Sequence, residues 1–232
     1  MQVTGNNHNN HSRISIQVGL GGYSFIVSSG DEISASDWQT PERIFVTPQM
    51  QKRYDEVEIS VFTPKCALVP VQFYDPQSAD QLLSEVVALD PGDVVEAVQV
   101  PRFASVLLFS NVAGDSLSKA ISGMVLKTDG SSVKPVPEMY CMLDCLERLP
   151  EYNKIVVSYM DGYLYLVIAQ GRTLLLCNAY KAVDFTTAQY FIFLAMKKLQ
   201  LNPEMSSLYF RTPLTEDEEM SLYRYCKSVE RI

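Results

Sequence analysis

Apolar and polar positions fall into short, strand-length runs along much of this chain, most densely over residues 154–201. There KIVVSYM, YLYLVIA and TLLLCNA follow one another, split by Asp161-Gly162 and Gln170-Gly171. Apolar runs of that length separated by turn dipeptides predict a three-strand antiparallel meander. A longer apolar run, capped by Thr186 or Thr187, predicts a helix to about Gln200. Its Tyr190, Phe191, Leu194, Met196 and Leu199 leave it apolar nearly all round, so it is expected to be buried. Asn202-Pro203 ends it. Residues 207–211 read as a strand. Thr215, followed by four carboxylates, reads as the N-cap of a last helix with Leu222, Tyr225, Cys226 and Val229 on its buried face. The chain stops where a further strand is expected.

The first half carries a weaker version of the same order. RISIQV and YSFIVS flank the turn GLGG at 19–22, and residues 32–38 offer a third strand. EVEISVF at 56–62 alternates as a half-buried strand does. Residues 78–89 predict a helix capped by Ser78, residues 94–100 and 104–110 two strands, and residues 114–124 a helix. The run 137–149 is amphipathic, with Met139, Met142, Leu143 and Leu146 inward and Glu138, Asp144, Glu147 and Arg148 outward. Pro150 stops it. The reading is therefore a disordered polar leader over 1–12, a first lobe over 13–150 and a second over 151–232.

Composition narrows what such a molecule does. Of 232 residues 47% are hydrophobic, enough for a sizeable core, and the net charge is −8. An acidic chain is poorly suited to nucleic acid or an anionic membrane surface, both of which demand clustered Lys and Arg. No apolar stretch reaches the about 20 residues a membrane span needs, and the N-terminus lacks the apolar core of a signal peptide. A cytoplasmic protein is expected. The five cysteines are odd in number and scattered, which fits a reducing compartment. Cys141 and Cys145 lie one helical turn apart but have neither a nearby His nor a second Cys pair to complete a tetrahedral set, so no metal site is assigned. The two histidines, His8 and His11, both fall in the leader. Ser-His, Cys-His and His-metal chemistry are thus excluded from the folded body, and no catalytic residue is assigned.

The β-β-β-α-β-α order, begun at Arg13 and again at Lys154, resembles the ribonuclease-H-like unit. A tandem pair of such units resembles the actin-like ATPase superfamily, which includes actin, chaperone ATPase domains, sugar kinases and pilus assembly proteins. RISIQVGLGGYSFIV, Leu68-Val69-Pro70, ASVLLFSNV and DGYLYLVIAQGRTLLLCNAY are further similar to a family of Bacteroidetes proteins of unknown function with that fold. The resemblance covers residues 13–232. It implies an α/β fold of two lobes, each a mixed sheet with flanking helices.

In active members of the superfamily the first hairpin of each lobe carries an Asp for Mg²⁺ or water, then glycine amides that cradle phosphate. Here that Asp is replaced by Gln17 or, one register along, by Gly19. Asp161 is present in the second hairpin but reads better as part of an Asp-Gly turn. Gly19, Gly21, Gly22 and Asp161 are the candidates for a degenerate nucleotide cleft; the alternative is that the glycines form a bulged turn requiring positive φ. No late Gly-Gly adenosine loop is evident. The resemblance with its missing carboxylate implies a non-catalytic binding or scaffolding module with no cofactor and a protein partner. The alternative is a weak or atypical ATP-Mg²⁺ binder or kinase. Trp38 and the tyrosines at 152, 159, 163, 165, 180 and 190 are core residues or, if outward, a partner surface.

Overall fold

The computed structural model describes residues 11–110 and 115–232. The leader over 1–12 expected to be disordered lies outside it up to residue 10; from Ser12 the chain is already in a strand.

In chain order, β1 (Ser12–Gly19) and β2 (Gly22–Ser29) form a hairpin, and β3 (Glu32–Ala35) continues the meander. Two 3₁₀ turns, Pro41–Phe45 and Pro48–Gln51, come next, each opened by the proline at its first position. They stand where the repeat calls for a helix: with φ fixed at both prolines and only 17 residues between β3 and β4 (Arg53–Tyr54), the segment stays in short turns. β5 (Glu56–Val61) follows. The chain then makes β6 (Cys66–Pro70), α1 (Ala79–Ser84), β7 (Val95–Val100) and β8 (Ser105–Ser110). α1 is half the predicted length. After α2 (Asp115–Met124) come β9 (Leu126–Lys127), β10 (Val136–Pro137), α3 (Glu138–Arg148), β11 (Asn153–Met160), β12 (Tyr163–Gln170) and β13 (Thr173–Lys181). The last elements are α4 (Phe185–Lys198), β14 (Ser207–Phe210), α5 (Glu216–Tyr223) and β15 (Ser228–Arg231).

Two five-stranded sheets have the same topology, β3-β2-β1-β5-β10 and β13-β12-β11-β14-β15. In each, a hairpin and third strand run antiparallel, and the next strand lies parallel to the first, β5 on β1 and β14 on β11. The duplication read from the sequence is thus present in the strand order.

The chain forms two compact units, and none of the three boundaries between them falls at residue 150. One comprises residues 11–61 with 115–136, the other 62–110 with 137–232. The insert that begins at Phe62 joins the C-terminal repeat because its three-stranded sheet, β6-β8-β7, is covered by α1 on Leu83, Val106 and Leu108, and its β6 lies along β13.

In the first unit the core is Ile14, Ile16 and Val18 of β1, Val57, Ile59 and Val61 of β5, Ile121 of α2 and Val125 just after it, and Ile44 and Met50 from the two turns. The opposite residues of the same strands are polar, and Glu58 accepts from Arg13 at 2.9 Å and Ser15 at 2.7 Å, the period-two alternation of strands with one apolar face.

In the second unit Ile155, Val157, Leu164, Leu166, Leu208 and Phe210 face α4 and α5 through Ile192, Met196 and Leu222. Asp184, not a threonine, caps α4, accepting from the Thr187 amide at 2.7 Å. α5 ends at Tyr223, so Val229 is buried from β15 rather than from a helix, and Tyr225 is exposed. The strand expected beyond the chain's end is β15, paired parallel to β14. Tyr190 is likewise exposed.

Thr215 and Glu218 make a reciprocal capping box, Glu218 taking the Thr215 amide at 2.8 Å. Thr215→Ala is expected to cost about 1 kcal/mol, a fall in Tm of about 2–4 °C by calorimetry; no change would place the stability of α5 wholly in Leu222 and its neighbours.

Candidate functional site

The first hairpin is set by the registers of β1 and β2, which pair without a bulge to Gly19↔Gly22. Leu20 and Gly21 make the turn, and of the three candidate glycines only Gly22 has positive φ, at 148°. The bulged turn considered for these glycines is therefore absent. Gly22 is required for another reason. A β-carbon there would lie 1.9 Å from the carbonyl oxygen of Gln39. The chain after β3 returns across the hairpin as an isolated bridge, Tyr23 donating to Gln39 O at 2.9 Å and Gln39 donating to Tyr23 O at 2.7 Å. The same return brings in Trp38: a β-carbon at Gly21 would lie 3.8 Å from its Nε1 and one at Gly22 3.2 Å.

Gln17, one of the two residues that the resemblance puts at the Asp position, is 5% exposed in β1, and the other, Gly19, has no side chain. Neither carries a negative charge for a metal. The amide of Tyr23 is already spent on Gln39, and an indole lies against the glycines. These residues do not fit the phosphate cradle and Mg²⁺ site that the fold family implies.

Asp161 and Gly162 join β11 to β12, with Met160 opposite Tyr163. Both have positive φ, 53° and 75°, the signature of a two-residue type I′ turn. The backbone of Asp161 is thus accounted for by the hairpin. Gly19, Gly21 and Gly22 lie in the first unit and Asp161 in the second. Beyond β14 the chain reads Arg211-Thr212-Pro213-Leu214, with no glycine pair. Thr212 is buried and accepts from the Tyr159 amide at 3.0 Å.

Other chemistry-bearing side chains are committed elsewhere. Asp93 and Asp90 hold Lys65 at 2.5 and 2.6 Å, and the Lys65 ammonium keeps the Asp93 carboxyl below the usual range. Asp75 caps a 3₁₀ turn through the Gln77 amide. Burial pushes the Cys66 thiol up to about 12 and that of Cys226 up to about 11, so both stay protonated at neutral pH and are poor nucleophiles. No group of three His, Cys, Asp or Glu side chains that could hold a metal occurs among the described residues. Nor is any described helix long and apolar enough to cross a membrane.

The strongest polar constellation was not visible in the sequence. Glu138, read there as an outward residue of α3, is fully buried. Its Oε1 accepts from Arg211 Nε at 2.8 Å and from Ser158 Oγ at 2.8 Å. Arg211 also donates to Cys145 Sγ at 3.0 Å. Lys154 donates to the Leu146 carbonyl near the end of α3 at 2.7 Å, where a cation suits the helix dipole. The signal available was spacing: Glu138 is four residues before Met142 and seven before Cys145, on the buried row. Its charge argued the other way.

Among solved structures, the chain is similar to a protein of unknown function with an actin-like ATPase fold from Bacteroides thetaiotaomicron. The match has a TM-score of 0.63 at 15% identity and covers 96% of this chain and 91% of the other. A chain of the PilM-PilN type IV pilus biogenesis complex matches with a TM-score of 0.49 at 12% identity over 95% and 88%. The ethanolamine utilization protein EutJ from Carboxydothermus hydrogenoformans gives 0.44 at 11% over 95% and 84%. These last two superpositions are too loose to argue from. No curated protein matches the sequence. The fold is the actin-like ATPase fold. The sequence also matches, over residues 4–229, the family described as proteins of unknown function (DUF3822), and the chain belongs to that family.

Proposed function

We propose that this chain is a non-catalytic protein of the actin-like fold that works in the cytoplasm as a binding or scaffolding module for another protein. The observation that carries the reading is the first hairpin. Its Gly22 serves the close passage of Gln39 and Trp38, and the position of a metal-binding carboxylate is taken by the buried amide Gln17 or, one register along, by Gly19. A fold that has given the phosphate turn to its own packing retains surface as its means of action. The acidic charge supports protein over nucleic acid or membrane as the partner.

Thermal denaturation with ATP, ADP and GTP, each with and without Mg²⁺, tests the reading. A nucleotide at 100 times its Kd adds about 2.7 kcal/mol, which for a chain of this size raises Tm by about 5–11 °C. No rise is expected with any of the six combinations. A Mg²⁺-dependent rise that disappears in a Gln17 or Asp161 variant would overturn the reading in favour of an atypical nucleotide binder or kinase.

A further inference from the structure

The first sheet has an open edge. β3 is its last strand, and all four residues of that strand, Glu32 to Ala35, are exposed. Gly30 and Asp31 join β2 to β3 as a two-residue turn with Gly30 at φ 59°, so Ser29 and Glu32 close the hairpin as a hydrogen-bonded pair. An antiparallel ladder alternates from such a pair. Glu32 and Ser34 therefore bond to β2, and two residues on Ser36 donates to Phe25 O at 2.9 Å. Ile33 and Ala35 turn their amides and carbonyls the other way, and no described residue bonds to them there. A row of such donors and acceptors is a template for another strand.

Shortness and flanking charge are the usual protection of an edge, and β3 has both. They do not account for Ile33, a β-branched apolar side chain that is 75% exposed. The register sets Ile33 opposite Ser28 and Ala35 opposite Ile26. Both thus lie on the face turned away from the core residues Tyr23 and Phe25, while Glu32 and Ser34 lie on the other.

Charge around this edge has one sign. From Ile14 to Glu42 the chain has no Lys or Arg, and Asp31, Glu32, Asp37 and Glu42 are all exposed. Asp31 stands at one end of β3 and Asp37 just past the other. A second copy of the chain does not fit: two β3 strands laid antiparallel would bring Asp31 of each toward Asp37 of the other, and like charges facing across strands repel.

We infer that the outer edge of β3 takes an extended, basic peptide segment of a partner protein as a sixth strand of the sheet. The peptide runs antiparallel to β3, the slightly more stable ladder, and its main chain pairs with the amides and carbonyls of Ile33 and Ala35. Its side chains alternate. Those opposite Ile33 and Ala35 are apolar and valine-like; those on the other face are lysine or arginine, set against Glu32 and the carboxylates at the two ends. The inference rests on the reading of the chain as a protein-binding module and names the chemistry of its partner. With two outward residues the contact is a transient one, and it weakens with salt.

The probe is the end-blocked peptide Lys-Val-Lys-Val-Lys-Val-Lys, titrated into the isotope-labelled full chain and followed by NMR and amide hydrogen exchange. Saturable shifts are expected at the amides of Ile33 and Ala35, which exchange freely alone and are protected with the peptide. Ile33→Pro removes an outward amide that bonds to nothing in the chain, suits an edge strand, and should raise Kd about tenfold. Asp31→Lys with Asp37→Lys should do the same, and so should added salt. The same peptide N-methylated at its valines, and its Glu-Val counterpart, should not bind; these arms need no substitution and stand even if Ile33→Pro folds poorly. No shift at Ile33 or Ala35 with about 1 mM peptide overturns the inference and leaves the binding-module reading to another surface, whereas that reading itself falls only to a Mg²⁺-dependent nucleotide response. Binding unmoved by Ile33→Pro and by N-methylation overturns the inference by placing the peptide elsewhere. Equal binding of the Glu-Val peptide overturns the basic partner.

Discussion

Arg211→Met lowers the stability of the chain by about 3–5 kcal/mol, because it removes the cation that pairs with the buried Glu138 carboxyl. For a protein of this length that is a fall in Tm of about 6–20 °C, readable by calorimetry or far-UV circular dichroism. The reasoning turns on burial: Glu138 is 0% exposed and its guanidinium partner is 2.8 Å away. Taking both charges out of water is costly, and their mutual attraction repays that cost only while both are present. The double substitution Glu138→Gln with Arg211→Met should therefore recover much of the loss, since no unpaired charge is left inside. A single substitution that costs less than about 1 kcal/mol, in the range of exposed ion pairs, would show that water reaches Glu138 and that the pair does not hold α3 to the segment after β14.

Gly22→Ala is the second large effect. A β-carbon 1.9 Å from the Gln39 carbonyl oxygen cannot be accommodated by a side-chain adjustment, because the obstacle is backbone, and the φ of 148° is unfavourable for alanine in any case. The bridge between Tyr23 and Gln39 must open. Overpacking and backbone strain each cost about 1–3 kcal/mol, so a loss of about 3 kcal/mol or more is expected by urea denaturation. Gly21→Ala is the control. Its β-carbon meets only Trp38 Nε1 at 3.8 Å, an ordinary contact, and the change should stay within about 1 kcal/mol. If both substitutions were silent in stability, the glycines would be present for something other than the passage of residues 38 and 39.

The elements legible in the sequence are those whose cause is local. β11, β12 and β13 are bounded by Asp161-Gly162 and Gln170-Gly171, and all but one of those residues adopt positive φ, so apolar runs and local turn chemistry together located the meander. Thr215 was legible as a cap because its partner, Glu218, is three residues away. What could not be read depends on residues distant in sequence. The bridge to Gln39 that fixes Gly22, the pairing of Glu138 with an arginine 73 positions on, and the attachment of the insert to the C-terminal repeat are all tertiary. Tyr225 was misassigned because helical spacing was carried past Tyr223, where the helix in fact ends. The candidate hairpins were located correctly in the chain; that Gly22 serves packing was hidden because close approach of backbone to backbone leaves no mark on composition.

The interleaving of the two units in sequence bears on how the chain is made. Strand β5 is followed by an insert belonging to the other unit, and α2, which covers the first sheet, comes only after it. On the ribosome the first sheet emerges with its apolar face bare. At about 5–20 residues per second it waits several seconds for Ile121 and Val125, while the insert in turn waits for β13. Neither half can be completed as an early, independent N-terminal domain. During that interval Ile14, Ile16 and Ile59 are open to solvent, which makes the nascent chain a substrate for holding chaperones and binds the fate of each half to the synthesis of the other.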